Sequence, residues 1–166
     1  MRTAVRVATL ACLLLASAAP ARGDDAALAR RIQQAVQAHD AGQLSEAKVQ
    51  IDARDGAVLL RGSVRFLRQK LLYEQIAWQT PGVREVESEL RVVPLLPVPD
   101  ADIERQIVAL AKLNRFQGAE LRAQVRDGAV TVHGTFHDPG DVFFLRHRLA
   151  DIEGVRSVAI EANFAV

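Results

Sequence analysis

A duplication constrains this chain more than any other feature. Arg54-Asp55-Gly56-Ala57-Val58 recurs as Arg126-Asp127-Gly128-Ala129-Val130, each residue standing 72 places after its counterpart. At the same spacing Gly62 matches Gly134, Gly82-Val83-Arg84 matches Gly154-Val155-Arg156, and Val86 matches Val158, with no gap. Self-similarity at a fixed spacing marks one supersecondary unit used twice.

Each copy carries the same local pattern. Val49, Ile51 and Ala53 alternate with polar residues, the period of a half-buried strand. Asp55-Gly56 follows, suited to the positive φ angles of a two-residue hairpin turn, and Val58, Leu60 and Val64 resume the alternation. The second copy uses Leu121, Ala123 and Val125, then Asp127-Gly128, then Val130, Val132 and Phe136. A helix is predicted after each hairpin, over Leu67 to Gln79 and again from Pro139, where Val142, Leu145, Leu149 and Ile152 make one apolar stripe. Gly82 and Gly154 fall where a helix end needs a left-handed residue. A last strand closes each copy, with Val86, Ser88, Leu90 and Val92, or Val158, Ile160, Ala162 and Phe164, on its inward face. A helix also leads each copy: Leu28, Ile32, Ala35 and Val36 share a face in the first, and Ile103, Ile107 and Leu110 in the second, with Asp100 placed to cap near its start. The expected fold class is therefore α+β, two tandem αββαβ modules, each a small three-stranded sheet packed against two helices.

The segments outside this pattern set the boundaries. Arg2 and Arg6, the apolar run from Val7 to Ala18, and the small residues Ala19-Pro20-Ala21 read as a cleaved secretory signal over residues 1–23. The apolar run is about a dozen residues, too short to span a bilayer. Cys12 invites comparison with a lipoprotein anchor, but Thr9-Leu10-Ala11 fits a lipobox poorly and Leu13-Leu14-Leu15 continues the apolar run, so that alternative is disfavoured. The first module is placed at 24–93, a proline-rich linker at 94–99 and the second module at 100–166. Three prolines should keep the linker stiff and extended, with Leu95 and Leu96 packed away from water.

Composition narrows the function by exclusion. Cys12 is the single cysteine, so cleavage removes any disulfide, thiol nucleophile or thiolate metal site. The balance of 21 Lys+Arg against 20 Asp+Glu supplies no global field toward nucleic acid. Ser45, Ser63, Ser88 and Ser157 lack a nucleophile-elbow context, and the glycines stand singly at turns rather than in a phosphate loop. His133, His137, Asp138, Asp141 and His147 crowd one region, yet His133 and His137 would lie about 13 Å apart on an extended strand. His137 with Asp141 makes only two ligands, so no metal, cofactor, catalytic residue or small-molecule substrate is expected.

The order helix, strand, Asp-Gly turn, strand ending in Gly, helix, Gly-Val-x-x-Val, strand resembles the BON-domain family. The residues that carry it are Asp55 to Gly62 with Gly82-Val83-Arg84-Glu85-Val86, and Asp127 to Gly134 with Gly154-Val155-Arg156-Ser157-Val158. The resemblance implies a periplasmic, non-enzymatic double module of the cell envelope, with anionic phospholipid as the leading partner class and a role in envelope integrity or osmotic-stress tolerance. The alternative it leaves is a protein–protein adaptor or chaperone-like stress protein that never touches lipid. Tyr73 and Leu145 stand where that family often has a small residue, which implies looser or displaced packing of the helix.

Two candidate surfaces follow. Arg105, Ala109, Lys112 and Phe116 share a stripe opposite the apolar face of the second lead helix, with Arg115 adjoining. Cations beside an exposed aromatic suit the headgroup region of an anionic membrane; the bland alternative is a solvated face whose cations complement the helix dipole. Phe143 and Phe144 exceed what the core stripe needs, and Trp78 is the nearest surplus aromatic of the first copy. Packing between the modules is the favoured use for them, and a partner site the other.

Overall fold

Alternating strands joined by tight turns must bury one face each, and the helices supply the cover. The computed structural model describes residues 22–40 and 48–164; residues 1–21 of the leader expected over residues 1–23, and Ser45, lie outside them. The first module runs α1 (Arg22–Asp40), β1 (Lys48–Arg54), β2 (Ala57–Val64), α2 (Leu67–Gln79) and β3 (Glu85–Val92). The second repeats it as α3 (Asp100–Ala111), β4 (Glu120–Arg126), β5 (Ala129–Phe136), α4 (Pro139–Ala150) and β6 (Ser157–Phe164), with a short 3-10 turn, Asn114–Phe116, between α3 and β4. The chain is α+β, two three-stranded sheets of order β1-β2-β3 and β4-β5-β6, each packed with two helices.

In both sheets the hairpin is antiparallel, and the strand after the helix pairs in parallel with the middle strand. A helical crossover allows this parallel pairing. Val58, Leu60 and Val64 of β2, and Val130, Val132 and Phe136 of β5, point into the cores with Leu28, Ile32, Val36, Ile103 and Ile107 from the lead helices. The opposite faces are charged: Arg61 bridges Asp52 (3.7 Å) and Glu89 (2.9 Å), and His133 meets Glu161 at the matching place in the second sheet (2.9 Å).

The hairpin turns are held from outside. Asp55-Gly56 and Asp127-Gly128 all adopt positive φ, as the two central residues of such a turn require. Gly56 and Gly128 carbonyls accept from the Arg84 and Arg156 amides, each at 2.8 Å, so each turn docks on the loop that follows the module's second helix. A Cβ on Gly128 would stand 2.3 Å from the Gly154 carbonyl oxygen, and one on Gly62 would stand 1.9 Å from that of Lys48. Gly134 is likewise confined, by the Leu121 side chain.

Several expectations need correction. Gly82 and Gly154 have positive φ, but they lie beyond the helix caps Thr80 and Asp151, in the turn that leads to the last strand. Asp100 does not cap its own helix; its carboxylate accepts from the Asp127 and Gly128 amides (2.8 and 2.9 Å), tying α3 to the hairpin turn. Tyr73 is wholly buried in the core, and so is Leu145. Phe164 is half exposed at the end of β6. The linker is not extended throughout: it bends at Leu95 and Leu96, whose side chains are exposed, and Val98 is a linker side chain that packs, against Gly154.

Ion pairs cross between the modules, beside the contact of α2 with α4. Arg65, between β2 and α2, meets Glu153, between α4 and β6, with two hydrogen bonds of 2.9 and 2.8 Å. The Leu95 amide donates to the same carboxylate at 3.0 Å, and Arg68 pairs with Asp151 at 3.1 Å. Arg65 stabilises the ionised form of Glu153 and holds its carboxyl below the usual range; partial burial opposes this and the Leu95 amide adds to it.

Candidate functional site

The lead helix of the second module is positioned from three sides. Ile103 and Ile107 are buried against the sheet, Asp100 anchors the N-terminus, and the chain turns sharply after Lys112. This last feature breaks up the expected stripe. Helical spacing does not continue past Ala111, and the 3-10 turn carries Phe116 into the core, where it is 3% exposed and packs at 6.1 Å from the Phe144 ring. Phe116 is therefore no membrane-facing aromatic. Arg115 is committed as well: it pairs with Asp141 and lies 4.9 Å above the Phe144 ring.

What remains outside is a different set. Arg105 and Lys112 are exposed, as expected, and Val108 (53% exposed) and Leu113 (41%) stand beside them as the apolar groups of that surface. Arg105 is paired with Asp102 at 2.6 Å, an exposed contact worth about 0–1 kcal/mol that a phosphate can displace. Periodicity counted from Arg105 concealed Val108 and Leu113. The signal that could have found them is the run Ile107-Val108 and Leu110 with Leu113, more apolar residues than one buried face accepts.

The aromatic candidates separate too. Phe144 is half-buried and serves its own module through Phe116 and Arg115, so it does not cement the two modules. Phe143 is 66% exposed, with its ring edge against His147, and Trp78 is 55% exposed on α2 together with Leu71. Neither is sealed into the seam, where α2 meets α4 and ion pairs cross between the modules. The histidine–aspartate crowd is dispersed: His133 faces Glu161, Asp138 caps α4 through the Gly140 amide (2.7 Å), and Asp141 holds Arg115. Among the described residues no group of three His, Cys, Asp or Glu could hold a metal ion. No described helix is long and apolar enough to cross a membrane.

These observations define a class, the tandem α+β protein built from two αββαβ modules. More particularly, the BON-domain family model matches residues 24–94, so a BON domain occupies the first module. BON domains are typical of periplasmic proteins and the family is generally non-enzymatic. Two solved structures of CdsD, a structural protein of the type III secretion system of Chlamydia trachomatis, are similar to this chain. They share 11% and 12% identity, with TM-scores of 0.36 and 0.34, and the alignments cover 86% and 85% of this chain. This chain spans 67% and 64% of theirs. No curated protein matches the sequence.

Proposed function

We propose that this is a periplasmic, non-enzymatic binding protein of the cell envelope whose second module contacts anionic phospholipid surfaces through the outer face of α3. The observation that carries this reading is the exposure of Val108 and Leu113 together with the cations Arg105 and Lys112. Apolar groups at the acyl boundary with cations at the headgroups are the elements of interfacial binding, and each cation near an anionic surface adds about 1 kcal/mol. The BON domain at 24–94 and the leader-like residues 1–23 support an envelope location, and the duplication supports a second BON-like module at 100–166. In this reading the protein supports envelope integrity under stress.

Co-sedimentation with liposomes of neutral and of anionic phospholipid, at low and high salt, tests it. Binding should select anionic vesicles and weaken with salt. Arg105→Glu with Lys112→Glu should abolish it; unchanged sedimentation of that variant would remove α3 from the account. A protein partner is the second reading, favoured by the exposed Trp78, Leu71 and Phe143. Trp78→Ser with Phe143→Ser should then lose envelope cross-links while lipid binding stays intact.

A further inference from the structure

We propose that the second module holds a binding cleft for one linear alkyl chain with a cationic or neutral head, taken up from solution. A cleft of about 190 Å³ separates α3 from the sheet and α4. Its walls include Ala111, Ala123, Val132 and Leu145, and Glu104 and Val108 stand at its exposed edge. Comparison of the two copies explains the space. At the positions of Ala123, Val132 and Leu145 the first copy carries Ile51, Leu60 and Tyr73. The buried positions Leu28, Ile32 and Val36 of α1 match Ile103, Ile107 and Ala111 of α3. At each of these four wall positions the second module has the smaller side chain, while at a fifth it has the larger, Leu121 where the first copy has Val49.

The shape and charge of the cleft choose the occupant. Four α3 residues, Glu104, Ile107, Val108 and Ala111, line it along one helix stripe, a length of about 10 Å at the rise of an α-helix. A cavity of about 150 Å³ accommodates one benzene molecule, so this one has room for roughly six to eight carbons of a single chain. That is too little for the paired tails of a phospholipid. Glu104 is the one ionisable residue of the lining, and its carboxylate disfavours an anionic head. The proposal does not depend on membrane contact by α3, and its test needs no membrane.

The test is a methyl NMR titration of the purified protein with n-octylamine hydrochloride, 1-octanol and sodium octanoate. Methyl signals of Ile107, Leu121, Val132 and Leu145 should move, and those of Ile32 and Leu60 should not. Octylamine should bind about fivefold more tightly than octanoate, the factor expected of one exposed charge pair, and Glu104→Gln should remove the difference. Ala123→Ile with Val132→Leu installs the first module's residues; displacing about two methylenes should weaken octylamine about tenfold. Ala111→Val alone, a smaller change, should weaken it in the same direction. Absent shifts in the unmodified protein, equal shifts in both modules, or undiminished binding by a folded filled variant would each overturn the proposal.

Discussion

Glu153 accepts three hydrogen bonds from two distant parts of the chain: two from the Arg65 guanidinium and one from the Leu95 amide. Replacing it with alanine removes the acceptor shared by the α2 loop and the linker. Both side chains keep about a third or less of their surface exposed, so the cost falls between that of an exposed ion pair and that of a buried charged hydrogen bond. A loss of about 1.5 kcal/mol follows, and the thermal midpoint should fall by about 3–6 °C for a chain of this length. A double-mutant cycle with Arg65→Met isolates the pair and should return a coupling of about 1 kcal/mol. Acid gives an independent check. Because Glu153 is held below its ordinary value of 4.5, the folded state binds fewer protons than the unfolded one in mildly acidic solution. The pair's contribution is therefore complete above that value and is lost as pH falls through it toward the folded pKa. Denaturant unfolding of protein and variant at neutral pH and in acid measures both effects. Additive single-site effects, or a difference undiminished in acid, would refute the clasp.

Three further outcomes are expected. Phe116→Ala should cost about 3–4 kcal/mol in denaturant unfolding, as truncation of a buried aromatic does; lost liposome binding at unchanged stability would instead return Phe116 to the membrane surface. Asp100→Ala leaves the Asp127 and Gly128 amides without their acceptor and should cost about 1–2 kcal/mol, with faster hydrogen exchange at those two amides as the local signature. Gly128→Ala should destabilise by about 2 kcal/mol or more, through its left-handed φ and the approach to the Gly154 carbonyl. It should cost more than Gly56→Ala, whose Cβ would stand 2.9 Å from its counterpart carbonyl, and equal losses would remove the steric part of this account.

The duplication made the fold legible, since each weak local signal stood beside a second instance of itself. Strand alternation, the Asp-Gly turns and the α2 limits Leu67 and Gln79 all follow from short-range patterns, and the structure has them where those patterns put them. What failed was information the local pattern does not carry. The segment from the lead helix to the next strand is three residues shorter in the second copy (Ile103 to Leu121 against Leu28 to Val49). The chain there leaves the helix at Ala111 and folds Phe116 inward, so a helical count extended to residue 116 placed an interior ring on the surface. Asp100 has the composition of a cap, but its partners come from a hairpin 27 residues away. The linker leucines look like core by composition and are exposed, in a bend whose Leu95 amide is held by Glu153.

The same comparison of copies separates the modules by what fills them. Backbone pairing is shared residue for residue, Ala57 to Val64 with Glu85 to Val92 and Ala129 to Phe136 with Ser157 to Phe164. The difference lies in side-chain volume: Ala123, Val132 and Leu145 line a cleft in the second module where the first carries the larger Ile51, Leu60 and Tyr73. Smaller side chains bury less apolar surface, and each methylene not buried forgoes about 0.8 kcal/mol, a sizeable share of the stability of a small domain. The second module therefore stands to gain from a neighbour. Glu153 lies at its α4–β6 turn, where the clasp from Arg65 and the linker amide reaches it. Strengthening the first copy should thus steady the second only while that clasp is intact.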